Sequence, residues 1–227
     1  MLRVIPESMK IPTQAGLDVP DAAVALSGPH NTTRINAQGE RNLETSTDQH
    51  DSGEPQGHVQ WLCGFALERE DIKWLVQGMP QEGGVDPNTA EYELQLLKIV
   101  SIGWGISYFL QEDPLKDVIL EPYWQAVREF AENLSQTTSL LIGKDIEYFE
   151  AIKDRLNTYV QAMTALTGDA DPTQAIGPAF ARCCGREDDP FAVLAGAKLF
   201  ANTMAHTRTY LAKAVSEDER TGDGGVQ

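Results

Sequence analysis

Hydrophobic side chains recur every three or four positions in four long segments of the chain. This spacing places them on one face of a helix, whereas a half-buried strand would alternate every second residue. The four stripes are Leu96, Ile99, Gly103, Ile106 and Leu110; Tyr123, Val127, Phe130, Leu134 and Leu141; Phe149, Ile152, Leu156, Tyr159, Met163 and Leu166; and Val193, Ala197, Phe200, Met204, Thr207, Leu211 and Ala214. They predict an all-α fold, an antiparallel bundle of about four to six helices with a largely irregular N-terminal arm.

Four Asp-Pro pairs mark where helices begin. An aspartate at the N-cap accepts a hydrogen bond from a free helix amide, and proline fits the first helical position because its missing N–H has no partner there. The pairs are Asp86-Pro87, Asp113-Pro114, Asp171-Pro172 and Asp189-Pro190. Each pair predicts a helix start.

The segments between the long stripes predict shorter elements. Helices are expected from about Glu70 to Gly78 and from Pro172 to Cys184, the second interrupted at Gly177-Pro178. The pair Glu121-Pro122 either opens a helix or kinks one that has already begun. The residues from Gln60 to Leu67 fit a short strand or a buried turn, and their pattern does not choose between the two.

The chain divides into three parts by composition. All aromatic residues lie between Trp61 and Tyr210, and residues 29–57 contain few hydrophobic anchors. Such a segment buries too little apolar surface to offset the entropy of ordering its backbone. We therefore expect an extended or disordered arm over residues 1–57, a helical domain over 58–216 and a flexible acidic tail over 217–227.

The most apolar run is Ile99 to Leu110, IVSIGWGISYFL, which contains no charged residue. As a helix, twelve residues span about 18 Å, which is shorter than the roughly 30 Å hydrocarbon core of a membrane. A helix that is apolar around its circumference is typical of the centre of a bundle. Gly103 and Gly105 lower helix propensity, so we expect a closely packed neighbouring helix, and not a cavity, to lie against them.

The net charge of the chain limits the classes of partner that we expect. The chain carries 34 acidic and 18 basic residues, a formal net charge of -16. This charge repels phosphate backbones and anionic lipid surfaces, so neither nucleic acid nor a membrane is an expected partner. A protein with a basic surface is the expected partner, and the sequence does not determine the oligomeric state.

Candidate nucleophiles and bases are few. Cys63, Cys183 and Cys184 lack the C-x-x-C spacing of redox and zinc sites, and the N-terminus lacks the apolar region of an export signal. Reduced thiols in the cytoplasm, buried as small hydrophobes, are the expected state. His206 lies four residues before Tyr210, where the pair could transfer a proton, although a histidine at the edge of the core is the simpler interpretation.

Acidic residues form one pattern with chemical meaning. The motifs Glu129-x-x-Glu132 and Glu147-x-x-Glu150 are predicted on two consecutive helices, where carboxylates three apart share a face. Four such carboxylates could surround a magnesium ion. The spacing resembles that of the all-α nucleotide pyrophosphohydrolases, although Glu150 stands where that family usually has aspartate. The resemblance implies a magnesium-dependent hydrolase, while a solvated helix face is the simpler interpretation.

The sequence contains neither a catalytic motif nor a cofactor motif that we can assign. Its leading functional prediction is a non-enzymatic protein-binding helical domain: an adaptor, an inhibitor or immunity-type protein, or a subunit of a complex. One alternative is a helical pocket for a small apolar ligand at Trp104 and Tyr108, where glycines leave room against the backbone. The other is the magnesium-dependent hydrolase. No catalytic residue and no cofactor is predicted under the leading interpretation.

Overall fold

The computed structural model describes residues 55–80, 82, 84–166 and 171–222 of the chain. Over these residues the regular secondary structure is entirely helical, which confirms the predicted all-α bundle. The helices are α1 (Pro55–Leu67), α2 (Glu70–Gln77), α3 (Pro87–Phe109), α4 (Leu115–Ile142), α5 (Tyr148–Thr164), α6 (Thr173–Cys183) and α7 (Pro190–Gly222). Only two residues separate α1 from α2. If these two helices are counted as one bent unit, the bundle has six helical units.

All four predicted helix starts are confirmed by hydrogen bonds from backbone amides to the aspartate side chains. The donors are Thr89 N to Asp86, Leu115 N to Asp113, Thr173 N to Asp171 and Phe191 N to Asp189, each at 2.9 Å. In each case a carboxylate accepts from an amide that the helix itself leaves unpaired. The helices α3, α4, α6 and α7 thus begin where local chemistry predicts.

Helix α3 is the centre of the bundle and packs against all six other helices. Its residues are buried around most of its circumference, as the uncharged run from Ile99 to Leu110 predicts. Both glycines of that run face helices. A Cβ on Gly103 would lie under 3.0 Å from three atoms of the Trp124 indole on α4, and one on Gly105 would meet Thr207 on α7 at 3.0 Å. The expectation of close helix crossings is therefore confirmed.

A buried lysine fixes the junction of α1 and α2 to α3. Lys98 is fully buried, and its ammonium donates to the carbonyl of Glu68 at 2.9 Å and to the carboxylate of Asp71 at 3.0 Å. The same ammonium lies 4.5 Å from the centre of the Phe65 ring. These contacts offset the free-energy cost of removing the ammonium group from water.

Three expectations about short elements need correction or completion. Gln60 to Leu67 is neither a strand nor a turn but belongs to α1, because Leu62 and Ala66, four apart, are both buried. The segment at Gly177-Pro178 does not interrupt α6. A Cβ at Gly177 would lie 2.6 Å from the carbonyl oxygen of Val193, so close packing on α7 supports the helix there. Pro122 lies inside α4 and does not open a new helix.

The apolar stripe of α4 is only partly buried. Tyr123 and Val127 are buried as predicted, but Phe130 and Leu141 are 38% and 77% exposed. The last buried residue of α4 is Thr138. Its hydroxyl oxygen lies 3.4 Å from the hydroxyl oxygen of Tyr148 at the start of α5. Beyond it, no described helix covers the C-terminal turn of α4.

The described helices reach past the predicted boundaries of the helical domain. Helix α1 begins at Pro55 and α7 continues to Gly222, while residues 1–54 of the predicted arm and 223–227 of the predicted tail lie outside the described residues. No described helix is both long enough and apolar enough to cross a membrane.

Candidate interaction surface

A solvent-open groove lies between α1 and α4, with a volume of about 430 Å³. Its lining residues are Gln56, Val59, Val118, Pro122, Gln125, Ala126 and Glu129. Most of the surface they expose in the groove is apolar. The volume falls within the usual range for binding sites, roughly 300–1,000 Å³, but the groove is open and not enclosed. We refer to these seven residues as the α1–α4 groove.

One wall of the groove is a face of α4 that lies next to its core-facing stripe. Val118, Pro122, Gln125 and Glu129 follow one another at intervals of four, three and four, so they share a helix face. The buried residues Ile119, Tyr123 and Val127 form a neighbouring stripe that faces the core. Val118 is 44% exposed although it is apolar. The helix therefore uses one stripe for the core and exposes another in the groove.

Pro122 adds a polar feature to the groove. Proline has no backbone N–H, so the carbonyl of Val118 loses the donor that an α-helix normally provides four residues later. Both Val118 and Pro122 line the groove. This carbonyl is an acceptor that a donor from outside the helix can satisfy.

The rim of the groove on α4 is acidic. Glu129 is exposed, and the Gln125 amide donates to its carboxylate at 3.2 Å. Glu121 and Glu132 are exposed on the same helix. The nearby cation, Arg128, forms an ion pair with Glu132 at 3.5 Å. After this pairing, Glu129 leaves a net negative charge beside the apolar floor, and the exposed Glu121 directly precedes the groove residue Pro122 in the chain.

The four acidic residues of the predicted magnesium site are all exposed. Glu132 pairs with Arg128 and Glu150 pairs with Lys153, so two of them have cationic partners on their own helices. Glu129 lies at the groove, and Glu147 immediately precedes α5. Among the residues that the structure describes, no group of three or more histidine, cysteine, aspartate or glutamate side chains has an arrangement that would hold a metal ion.

The predicted ligand pocket is largely filled by protein. The ring of Trp104 stacks on that of Tyr108, with centroids 5.1 Å apart, and lies 5.8 Å from the ring of Phe200. The cavity beside Trp104 and Tyr159 has a volume of only about 10 Å³. That is room for about one water molecule. Tyr108 itself is 48% exposed on the surface of α3.

A buried ion pair that sequence reasoning missed joins α3 to α5. The guanidinium of Arg155 donates two hydrogen bonds of 2.6 Å to the carboxylate of Glu93, whose side chain is fully buried. Burial raises the pKa of Glu93, while the bonds from Arg155 act in the opposite direction. Extending the stripe Leu96-Ile99 by three residues toward the N-terminus reaches Glu93, so the periodicity contained a signal for its burial.

Cys183 and Cys184 lie near this ion pair, but none of the three cysteines is activated. Cys183 and Cys184 end α6, and all three cysteines of the chain are free thiols. Burial is the largest cause that raises the pKa of Cys63, Cys183 and Cys184 above the ordinary value of 9.0. Since the thiolate is the nucleophile, a raised pKa lowers reactivity. The expected role as buried hydrophobes fits these positions.

We therefore predict slow alkylation of the native thiols. With iodoacetamide near neutral pH, all three cysteines should react more slowly than in the urea-unfolded chain, by about an order of magnitude or more, because few are thiolates and all are partly or fully buried. Mass spectrometry of tryptic peptides over time measures each site. Rapid labelling of Cys183 or Cys184 in the folded protein would contradict the prediction.

The predicted pair of His206 and Tyr210 does not form a hydrogen bond that organises a site. Instead, Nδ1 of His58 on α1 lies 2.9 Å from the Tyr210 hydroxyl, and the ring of Trp61 stacks on that of Tyr210 at 3.8 Å between centroids. His206 is exposed and its ring meets the edge of Phe65. His58, the first residue of the predicted helical domain, is buried in α1. Its spacing of three to Trp61 and seven to Phe65 is helical and indicated that face.

None of the protein families, curated proteins and solved structures with which we compared the chain matches it. We therefore infer the function from the geometry of this molecule.

Proposed function

We propose that the protein is a non-enzymatic protein-binding helical domain that binds a partner with a basic surface, as an adaptor, an inhibitor or a subunit of a complex. The observation that carries the proposal is the α1–α4 groove, where an apolar floor lies beside the exposed carboxylate of Glu129. Protein interfaces combine these two features, because apolar burial supplies affinity and complementary charge supplies orientation and speed of association.

Two further features support the proposal. The net charge of -16 favours encounter with a basic protein surface over long distances. The three free thiols are compatible with a reducing compartment, so we place the protein in the cytoplasm. The two alternatives receive less support, because the cavity at Trp104 is about one water in size and the described residues contain no group of three or more candidate metal ligands arranged to hold an ion.

Affinity capture tests the proposed function. The full-length chain, tagged and immobilised, should retain a specific protein from a lysate of the cells that express it, and that protein should carry a basic surface. Retention should be strong at about 0.1 M salt and fall several-fold at about 0.5 M, because salt screens charge pairs at an exposed rim. Quantitative mass spectrometry against a tag-only control measures the enrichment.

Matched variants locate the charge effect. Glu129→Gln should weaken retention, whereas Glu112→Gln should leave it unchanged, because Glu112 is exposed but does not line the groove. Both substitutions remove one negative charge. No enrichment over the tag-only control would refute the proposed function, and retention that salt does not affect would refute its electrostatic part.

A further inference from the structure

We propose that the α1–α4 groove receives a basic amphipathic helix of the partner, about three turns long. This inference rests on the proposed function and specifies the partner's chemistry at the same site. The residues of α4 that line the groove run from Val118 to Glu129, which is about 16 Å at 1.5 Å per residue. A docked helix of similar length would place apolar side chains at intervals of three and four against this floor.

The geometry favours a helix over an extended peptide. An extended peptide gains its main-chain hydrogen bonds by adding to the edge of a sheet. Over the described residues every regular element is a helix, so no such edge is present there. A helix satisfies its own backbone and needs only a groove for its apolar face, and residues of two helices line such a groove here.

The charges of the groove determine the flanks of the docked helix. Lysine or arginine beside its apolar face would lie near Glu129, whose carboxylate has no cationic partner among the ion pairs of the described residues. An acidic or neutral helix would forgo this interaction.

A synthetic helix tests the inference directly. The probe is an 18-residue fluorescent peptide with a leucine and alanine stripe flanked by lysine and arginine. Its affinity for the full-length protein, measured by fluorescence anisotropy at about 0.1 M salt, should exceed that of a scrambled peptide of equal composition by about tenfold or more, because only the ordered peptide presents one apolar face. Equal affinity for the two peptides would show attraction by bulk charge alone and overturn the inference.

Two charge-matched variants locate the binding site. Val118→Lys introduces a cation into the groove and should weaken binding of the probe by about tenfold or more. Leu140→Lys introduces the same charge on the same helix at a residue that is 87% exposed and does not line the groove, and it should change the affinity by less than about twofold. Equal effects of the two substitutions would place the peptide elsewhere and overturn the inference.

A photo-crosslinking amino acid at Gln125 identifies what occupies the groove in the full-length protein. Crosslinking to the probe supports the inference, and the same group placed at Glu112 is the control that should not crosslink. Without probe, crosslinks to residues 1–54 of the same chain would identify an internal segment as the occupant, and crosslinked dimers would identify a second copy. Either result would overturn the proposal of a partner helix.

The two proposals fail in different ways. If affinity capture retains a basic partner equally well with Val118→Lys, with Leu140→Lys and with the unaltered chain, the protein-binding function stands and the groove inference falls. If no partner is retained by the unaltered chain, the proposed function itself falls. Loss of the partner with Val118→Lys alone supports both.

Discussion

Replacing Arg155 with methionine should lower the free energy of unfolding by about 3–5 kcal/mol. The substitution leaves the carboxylate of Glu93 fully buried without the two hydrogen bonds and the counter-charge that Arg155 supplies. Chemical denaturation at constant temperature, with the midpoint and slope fitted together, measures the loss. Arg128→Met is the matched control, because both partners of the Arg128–Glu132 pair are more than half exposed and such pairs contribute at most about 1 kcal/mol.

The loss of unfolding free energy in Arg155→Met should grow as the pH rises. Burial already raises the pKa of Glu93 above its ordinary value of 4.5, and removal of the opposing arginine raises it further. The folded variant then holds a proton that the unfolded chain releases, so its stability falls as pH rises from the unfolded pKa through the folded one. The deficit against the unaltered protein should therefore be smaller at about pH 5 than at about pH 8.

A second substitution distinguishes loss of the pair from loss of packing. Arg155→Met combined with Glu93→Leu removes both charges and should recover most of the lost stability, because apolar residues of similar size can replace a buried ion pair. A single variant Arg155→Met that stays within about 1 kcal/mol of the unaltered protein at both pH values would contradict the role assigned to this pair.

Gly103→Leu should destabilise the fold by about 1–3 kcal/mol through overpacking. Even the first carbon of the new side chain would lie under 3.0 Å from three atoms of the Trp124 indole. In a chain of this size the thermal midpoint should fall by about 2–12 °C. Circular dichroism during heating measures the shift, and an unchanged midpoint would show that α3 and α4 are not in close contact at this glycine.

Gly64→Ala is the control, and this substitution should raise the free energy of unfolding. Gly64 lies in α1, and a Cβ built there would meet nothing within 4 Å. Alanine should stabilise α1 by about 0.5–1 kcal/mol, because glycine loses more backbone entropy in a helix. In a Trp124→Ala background, the penalty of Gly103→Leu should also shrink, since the two side chains would compete for the same space.

Periodicity and capping chemistry predict most of the fold because both act locally. The Asp-Pro pairs satisfy amides within three residues, so the sequence contains both partners of each hydrogen bond. The twelve uncharged residues from Ile99 to Leu110 predict a central helix because apolar side chains around the whole circumference require neighbours on every side. Those features depend on residues that are close together in the chain.

The candidate site was less predictable, because it depends on which helix faces touch. Val118, Pro122 and Glu129 look like an ordinary solvated face, and only the position of α1 turns that face into the wall of a groove. The apolar residues Leu140 to Ile142 continue the pattern of a buried helix, yet no described helix covers them. Helical periodicity identifies a face but does not say what packs on it.

By itself, the sequence determined an acidic, all-helical protein, the starts of four helices, the central position of α3 and the need for close contacts at Gly103 and Gly105. Only the tertiary structure decided that Glu93 meets Arg155, that Lys98 is buried against Asp71, that His58 and not His206 meets Tyr210, and that α1 and α4 enclose a groove. The physical reason is the distance along the chain over which each kind of interaction acts. Caps and periodic stripes act over a few residues, whereas these pairs join residues 27 to 152 positions apart, whose meeting depends on the packing of whole helices.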